Sequence, residues 1–509
     1  MSRQPLVNIK NLSIAYLDKV IIKKLSLSVS RGEVVALVGA NGCGKSTLLD
    51  VIAHTHASDQ EFLSRFELRI KGELHLATSI ALGYLPQHIK STGNSSTDRE
   101  NVSRFQRLAI AFGLNQDIAG ADNSSDGEQQ KRAIIETLLS EADLLLLDEP
   151  TNYLDIAGIT AFEEQLHLLR RKGSGAILVS HDRTLINNLA DRTVYLTPNG
   201  NYQTEGGFAA AWSLVKSDLA SKSKQARVIR NKISHLQQEM RTRMNWATQK
   251  EKSKKGAGAD KPHIARMAAR MAARAQTAQR KADREIEWLK KSKPFVPKKP
   301  ALHLRDYPVR HREIFSLRDI SFDYGRSTPL LMSNLDLVAT TRDRLCLMGG
   351  NGAGKSTLFK IILGQLEPQQ GERRINEGVR LRYLPQGLAG FFTEPTLLAN
   401  FTDTGCDETV VRWQLGGALL RGDKVHQSVE NFSRGELVRA AIVKCLLQQA
   451  EFLLLDEPTS HLDIESVEVL EQLLDRFPGG YLIVSHDRSF VENVSDRLYT
   501  LDEGRLRLV

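Results

Sequence analysis

The chain has 509 residues, 41% hydrophobic and 25% charged, an ordinary composition for packed globular domains and long enough for two or three of them. Its longest apolar runs, such as residues 144–147, are strand-sized, well short of the roughly 20 residues that cross a bilayer, and the amino terminus shows no apolar signal core. Cys43, Cys346, Cys406 and Cys445 are scattered and form no CxxC pair, which argues against a disulfide framework or cysteine metal site and fits a reducing cytoplasm; the net charge of +9 hides a segment, residues 213–300, that carries +17 against −8 for the remainder.

The first element with chemistry in it is the β-rich run 34–38. It leads into Gly39-Ala40-Asn41-Gly42-Cys43-Gly44-Lys45-Ser46-Thr47 and then a helical stretch, 47–52. Strand, glycine-rich loop and helix in that order make a phosphate-binding loop. The glycines let backbone N–H groups converge on phosphate oxygens, the helix N-terminus adds positive potential, Lys45 neutralises the β- and γ-phosphates, and Ser46 is placed to hold Mg²⁺. Tyr16, 29 residues before Lys45, reads as part of an early edge strand, where its ring could stack on adenine. Tyr84-Leu85-Pro86-Gln87 and Ser125-Asp126-Gly127-Glu128 follow, then an apolar strand ending in Asp148-Glu149. Carboxylates delivered at the carboxyl end of a buried parallel strand sit where ligands gather in α/β sheets. Asp148 is expected to hold Mg²⁺, directly or through water, and Glu149 to polarise the attacking water as general base. Val179-Ser180-His181-Asp182-Arg183 closes this half.

From Gly206 to about Leu302 the chain matches neither half. Val215, Leu219, Ala226, Ile229, Ile233, Leu236 and Met240 recur largely at spacings of three and four, a helical stripe within residues 208–249. A second, alanine-rich stripe runs from Ile264 to about Lys291 through Met267 or Ala268, Met271, Ala275, Ala278, Ala282, Ile286 and Leu289. The two are expected to pair as an antiparallel α-helical coiled-coil hairpin whose turn is the Gly- and Pro-punctuated stretch 250–262. At 1.5 Å per residue such helices would carry the turn roughly 40 to 60 Å from the rest. Arg266, Arg270 and Arg274 share one helical face near it, with Met244 and Trp246 close by. Positive charge concentrated in one element beside an acidic remainder points to a polyanionic partner, while the scarcity of aromatics argues against a single-strand stacking platform.

The first set of motifs then recurs in the same order, 299 to 310 residues on. Residues 344–348 lead into Gly349-Gly350-Asn351-Gly352-Ala353-Gly354-Lys355-Ser356-Thr357 and a helical stretch, 357–363, with Tyr324 lying 31 residues before Lys355. Tyr383-Leu384-Pro385-Gln386, Ser433-Arg434-Gly435-Glu436, an apolar strand ending in Asp456-Glu457, and Val484-Ser485-His486-Asp487-Arg488 follow. A domain was duplicated and drifted by small insertions. By the same chemistry Lys355 neutralises phosphate, Ser356 and Asp456 hold Mg²⁺, and Glu457 is the general base. The predicted fold is α/β, with two P-loop domains, 5–205 and 304–509, joined by a basic helical linker, 206–303.

With both Ser-x-Gly-Glu segments and both Ser-His-Asp-Arg tetrads in place, the pattern resembles the ATP-binding cassette superfamily, in full in each half. The resemblance implies ATP hydrolysis, with ATP and Mg²⁺ bound. It implies that Gln87 and Gln386 couple the core to a helical subdomain and reach the metal, and that His181 and His486 contact the γ-phosphate. It also implies head-to-tail closure over two nucleotides within one monomeric chain. Lys45, Asp148 and Glu149 would share a site with Ser433, Gly435 and Glu436, and Lys355, Asp456 and Glu457 would share one with Ser125, Gly127 and Glu128. The family signature is Leu-Ser-Gly-Gly followed by Gln or Glu. Here Asp126 and Arg434, of opposite charge, replace the first glycine, so unequal turnover at the two sites is expected. Cys43, where the second loop has Ala353, reads as a small residue at a variable position.

Tandem cassettes without membrane spans, a basic helical linker of about 90 residues and the tetrad in both halves resemble the ABC-F subfamily over essentially the whole chain. That resemblance implies a cytoplasmic ATPase acting in translation, with the ribosome as partner and no membrane. Members bind at the tRNA exit site and reach the linker toward the peptidyl-transferase centre, so rRNA and tRNA are the implied contacts. Some are general translation factors; others protect ribosomes from antibiotics. From the Gln to the signature Ser there are 38 residues in the first half and 47 in the second, leaving no room for the arm that some housekeeping members insert in the first. No carboxyl-terminal nucleic-acid-binding tail is expected either, and both features lean toward the resistance type. The alternatives are an ATPase subunit of a membrane transporter, which has little need of a long basic hairpin, and a DNA-associated ATPase.

Overall fold

The computed structural model describes residues 5–17, 19–57, 68–87, 99–114, 126–198, 200–252, 261–294, 307–325 and 331–509. The strands of the first cassette are β1 (Pro5–Tyr16), β2 (Lys19–Ser30), β3 (Val34–Gly39), β4 (Leu68–Leu76), β5 (Leu82–Leu85), β6 (Leu144–Asp148), β7 (Gly175–Val179), β8 (Arg192–Thr197) and β9 (Gly200–Glu205). Three form an antiparallel sheet in the order β2-β1-β4, and six a sheet in the order β5-β6-β7-β3-β8-β9, parallel except for β9. The second cassette repeats this with β10 (Glu313–Phe322), β11 (Met332–Thr340), β12 (Arg344–Gly349), β13 (Gln370–Ile375), β14 (Leu381–Leu384), β15 (Phe452–Asp456), β16 (Gly480–Val484), β17 (Arg497–Asp502) and β18 (Arg505–Leu508). Its sheets run β11-β10-β13 and β14-β15-β16-β12-β17-β18, strand for strand the same topology.

The central parallel strands are apolar throughout because they are covered on both faces, and every residue of β3, β6 and β7 is buried. On one face Leu37, Leu146 and Ile177 pack with Leu12 and Ile14 of the antiparallel sheet and with Leu49 of the helix Lys45–His56. On the other, Leu145 and Leu178 pack with Phe162 of the helix Ile156–Arg171 and with Leu185. Parallel strands put all their carboxyl ends on one edge. The phosphate loop after β3, Asp148-Glu149 at the end of β6 and Ser180-His181 after β7 therefore emerge side by side, and their counterparts do so after β12, β15 and β16.

One expectation is corrected. Tyr16 ends β1 and Tyr324 lies two residues past β10, and neither strand is an edge: β1 and β10 are each the middle strand of three, because β4 and β13, which come after the phosphate loops, pair along their second edge. Local patterning cannot display a pairing between strands so far apart in sequence.

The chain divides into two units, Met1–Ala211 with Pro300–Val509, and Trp212–Lys299. The second consists of paired helices, from the segments Phe208–Lys252 and Lys261–Ser292. Lys232 Nζ lies 2.8 Å from Glu285, and Leu236, Met240 and Met244 share a small cavity with Ala278 and Ala282, so the helices run antiparallel. They extend further into the expected turn than its Gly/Pro content suggests. Pro262 stands in the first turn of the second helix, where its missing N–H costs no hydrogen bond. Arg270 and Arg274 are exposed; residues 253–260 and the side chains of Trp246 and Arg266 lie outside the described part. Among the described residues no helix is long and apolar enough to cross a membrane, and all four cysteines are free thiols.

Candidate nucleotide sites

Backbone crowding dictates the glycines of the phosphate loops. A Cβ on Gly39 would run into the Leu196 carbonyl, and one on Gly349 into that of Leu501. Gly44 and Gly354 cap the loop helices in the left-handed conformation, at φ 97° and 100°. Lys45 folds over its loop and donates to the Gly39 and Ala40 carbonyls at 2.8 and 3.2 Å; Lys355 does the same to Gly349 and Gly350, both at 2.8 Å. Tyr324 sits beside the second loop, its hydroxyl 3.0 Å from Thr357 Oγ1 and its ring edge-to-face with Phe322. Much of that ring remains exposed, as does Tyr16 at the end of β1.

Glu149 and Glu457 occupy the left-handed region, at φ 50° and 49°, an unusual backbone for a glutamate. Each is held there by its N–H, which donates to Val179 or Val484 of the neighbouring strand at 2.9 Å. His181 Nε2 lies 3.3 Å from Glu149 Oε1, and His486 Nε2 lies 3.1 Å from Glu457 Oε1. Neither is an ion pair. Burial first, and then the charge of Lys45 or Lys355, pulls His181 down to about 3 and His486 down to about 4. Burial pushes both glutamates up to about 7 although the same lysines oppose it. Each site thus sets a neutral imidazole against a carboxyl that titrates near neutrality, as suits a general base.

This has a consequence for stability. Both carboxyls are raised from an ordinary 4.5, so the fold favours their protonated form. Their contribution is fully present below about 4.5 and is lost as pH climbs through about 7, at most about 3 kcal/mol for each. The thermal midpoint of the Glu149→Gln/Glu457→Gln protein, measured relative to the unaltered chain, is expected to rise across that window and level off above it. A flat difference from pH 4 to 8 would show that the carboxyls titrate normally.

Asp456 Oδ2 accepts from Ser356 Oγ at 3.0 Å and from Tyr383 OH at 3.3 Å. In the first cassette the matching Tyr84 donates to Asp50 instead, at 2.5 Å; the second has Lys360 in that place. Among the described residues no group of three or more His, Cys, Asp or Glu could hold a metal. A serine hydroxyl beside a carboxylate is a hard-oxygen pair, and it fits a Mg²⁺ that draws its other ligands from phosphate and water.

Two aspartates that sequence reading missed join the halves. Asp463 Oδ2 accepts from the Asn41 N–H at 3.0 Å, and Asp155 Oδ2 from the Asn351 N–H at 3.1 Å. Each also caps its own helix: Asp463 Oδ1 accepts from Ser466 N–H at 2.9 Å and Asp155 Oδ1 from Gly158 N–H at 3.0 Å. The available signal was Leu-Asp-Ile repeated six residues beyond each site glutamate. Close by, Arg183 donates to Glu471 at 2.6 Å and lies 3.8 Å from Asp487; in mirror image Arg488 lies 3.7 Å from Glu163.

A cavity of about 600 Å³ spans this boundary. Asn41, Gly42, Gly44, Lys45, Ser46, Thr47, Gln87, Asp148, Glu149 and His181 line it from the first cassette, and Glu457, Leu462 and His486 from the second. Ser433 and Gly435 are not in its lining. Ser433 Oγ accepts from the Glu436 N–H, and Glu436 in turn accepts from the Ser433 N–H and from Lys424 Nζ at 2.5 Å, a capping box on the helix Arg434–Leu447. Gly435 lies against Ser466, and Gly127 faces Tyr153 beside the half-buried Glu128. Gln386 is exposed just past β14, and Gly352 faces open space. Ser125 and the Asp126 side chain lie outside the described part; Arg434 is half-buried, its charge disfavoured by burial and favoured by Glu457.

Two phosphate loops, each met by a carboxylate from the other half and the first of them lining a cavity at the boundary, define a tandem-cassette ATP hydrolase. The family model described as ABC transporter matches residues 22–152 and 332–460. The chain belongs to this ATP-binding cassette family, and its tandem form is of the ABC-F type. It is 28% identical to "Putative ATP-binding protein YdiF" of Bacillus subtilis (strain 168), over 98% of this chain and 80% of that one. It is 27% identical to "ABC transporter F family member 5" of Arabidopsis thaliana, over 98% and 75%. Among solved structures, "RNase-L Inhibitor" superposes with a TM-score of 0.60 at 19% identity, over 99% of this chain and 90% of that one. An archaeal complex of ribosomal stalk protein aP1 and ribosome recycling factor aABCE1 does so at 0.59 and 20%, over 98% and 89%. These two likenesses concern the fold.

Proposed function

We propose that this protein is a cytoplasmic, ribosome-binding ATPase that acts in translation, its ATP-closed form presenting the basic helical pair to ribosomal RNA near the tRNA and peptidyl-transferase region. In the first site Lys45 and the loop N–H groups bind the phosphates, with Ser46, Asp148 and Gln87 to hold Mg²⁺. Lys355, Ser356, Asp456 and Gln386 do so in the second. When bound, Mg²⁺ supplies charge neutralisation at the phosphate oxygens. Glu149 and Glu457 accept the proton of the attacking water, His181 and His486 present a neutral Nε2 toward the γ-phosphate, and the tyrosine rings of Tyr16 and Tyr324 stack on adenine. Closure brings Ser433, Gly435 and Glu436 to the first nucleotide and Ser125, Gly127 and Glu128 to the second. Hydrolysis reopens the halves and releases the ribosome.

The observation that carries this reading is that both phosphate loops are bonded across the cassette boundary in a chain whose positive charge is concentrated in the segment 213–300, at +17, which holds the helical pair. A transport cassette does not call for such an element. Further support comes from aABCE1, a protein of the same fold that is a ribosome recycling factor and was captured with a ribosomal stalk protein. Protection of ribosomes from antibiotics is the form of the activity we favour, on the short first helical subdomain.

The test is co-sedimentation of the Glu149→Gln/Glu457→Gln protein with ribosomes in the presence of ATP, with and without residues 245–263. The protein is expected to pellet with ribosomes when ATP is present, and the deletion to abolish its effect on peptide synthesis while binding persists. No enrichment with ribosomes would overturn the reading, and co-purification with a membrane protein would replace it with the transporter one.

A further inference from the structure

The cassettes are near-copies, so a difference at their boundary stands out against the symmetry. Tyr195 lies on β8 opposite Val38, just before the first phosphate loop, and is 1% exposed. Its O–H donates to Glu465 Oε1 at 2.9 Å, across the cassette boundary. Glu465 stands two residues after Asp463, in the first turn of the helix Ile464–Asp475. The first loop is therefore tied to the other cassette directly, through Asn41 to Asp463, and at its base through Tyr195 of the adjoining strand to Glu465.

The second loop lacks this arrangement. The residue opposite Met348, in the register where Tyr195 faces Val38, is Thr500, and the position matching Glu465 is Ala157. Its boundary has Asn351 bonded to Asp155 at 3.1 Å, a long neutral bond from Asn351 Nδ2 to the Tyr153 carbonyl at 3.4 Å, and an apolar contact of Ile156 with Cys346 and Met348. The bond of Asn351 to Asp155 matches that of Asn41 to Asp463, but a buried bond from a phenol to a carboxylate is stronger than the amide-to-carbonyl bond and more directional than the apolar contact. Residues 457–465 thus form a strap that starts at the glutamate of one site and is held at the other site by both Asp463 and Glu465, whereas the matching strap from Glu149 is held through Asp155 and Tyr153 and has no counterpart of the phenol bond.

We propose that Tyr195 and Glu465 are positioning residues for ATP binding and hydrolysis: the latch pre-assembles the first composite site, which takes MgATP more tightly, and leaves the second to assemble when nucleotide arrives. Holding Asp463 and its helix in place before binding removes part of the ordering cost that the second site must meet from its binding energy. This inference rests on the assignment of two composite sites given above.

Equilibrium titration with MgATP of the full-length Glu149→Gln/Glu457→Gln protein separates the two ideas. Lys45→Ala in that background removes the tighter of two binding steps, and Lys355→Ala the weaker. Tyr195→Phe and Glu465→Ala each weaken the tighter step by about tenfold, the order expected for one buried hydrogen bond to a carboxylate, and leave the other within about twofold. Glu465→Gln, which still accepts from the phenol, recovers most of the loss. Glu465→Ala reproduces the residue that the first cassette carries as Ala157, which guards against a variant that merely misfolds. If the lysine variants do not each remove one step, the assignment of sites fails. If they do, but Tyr195→Phe and Glu465→Ala shift neither step, both steps alike, or the tighter step toward higher affinity, the latch is wrong.

Discussion

Replacing both Glu149 and Glu457 with glutamine lowers ATP turnover by about 100-fold or more and leaves nucleotide bound, the size of effect that follows loss of a general base. The amide is nearly isosteric, so the left-handed backbone at φ 50° and 49° and the bonds to Val179 and Val484 persist. What disappears is the proton acceptor. No neighbour replaces it, because His181 and His486, held down to about 3 and 4, are surrounded by an environment that resists their becoming charged. Phosphate release and retention of radiolabelled ATP on gel filtration measure the two halves of this prediction. Turnover within about threefold of the unaltered protein would mean that neither glutamate is the base. The single variants then report the sites separately, and with Arg434 half-buried near Glu457 their residual rates are expected to differ.

Arg183→Met is expected to destabilise the protein by about 3 kcal/mol, and Arg488→Met by about 1. The two arginines end identical tetrads, and sequence alone would rank them equal. Arg183 has a side chain 9% exposed, against 17% and 15% for Glu471 and Asp487, so its removal leaves two largely buried carboxylates without the arginine between them, Glu471 keeping its bond from Asn493. Asp487 is already pushed up to about 6 by burial despite the arginine beside it. Arg488 is 24% exposed, so its guanidinium keeps more of its hydration, and it pairs with one carboxylate, Glu163, at 3.7 Å, so less is lost when it goes. Comparing the two variants by thermal midpoint decides the matter. Adding Glu471→Gln to Arg183→Met should recover part of the loss, since it removes one stranded charge; equal midpoints for the two single variants would show that burial does not distinguish the pairs.

Both phosphate loops, the strands that feed them and the carboxylates at the ends of β6 and β15 were legible in the sequence, because strand, loop and helix there follow one another within a dozen residues. The helices of the basic segment were legible for the same reason: a stripe at spacings of three and four is a local property. Tertiary structure decided the rest. That β1 and β10 are middle strands depends on partners beyond the phosphate loops, and the facing of Lys232 with Glu285 depends on how two helices slide against each other. The elevation of Glu149 and Glu457 to about 7 comes from burial, which no spacing encodes. The reach of Asp463 to Asn41, and of Tyr195 to Glu465, joins residues hundreds of positions apart. Motifs whose chemistry lies within one turn of chain can be read from their order. Contacts made when two folded halves dock arise from the shapes of both surfaces, and only the packed molecule sets them.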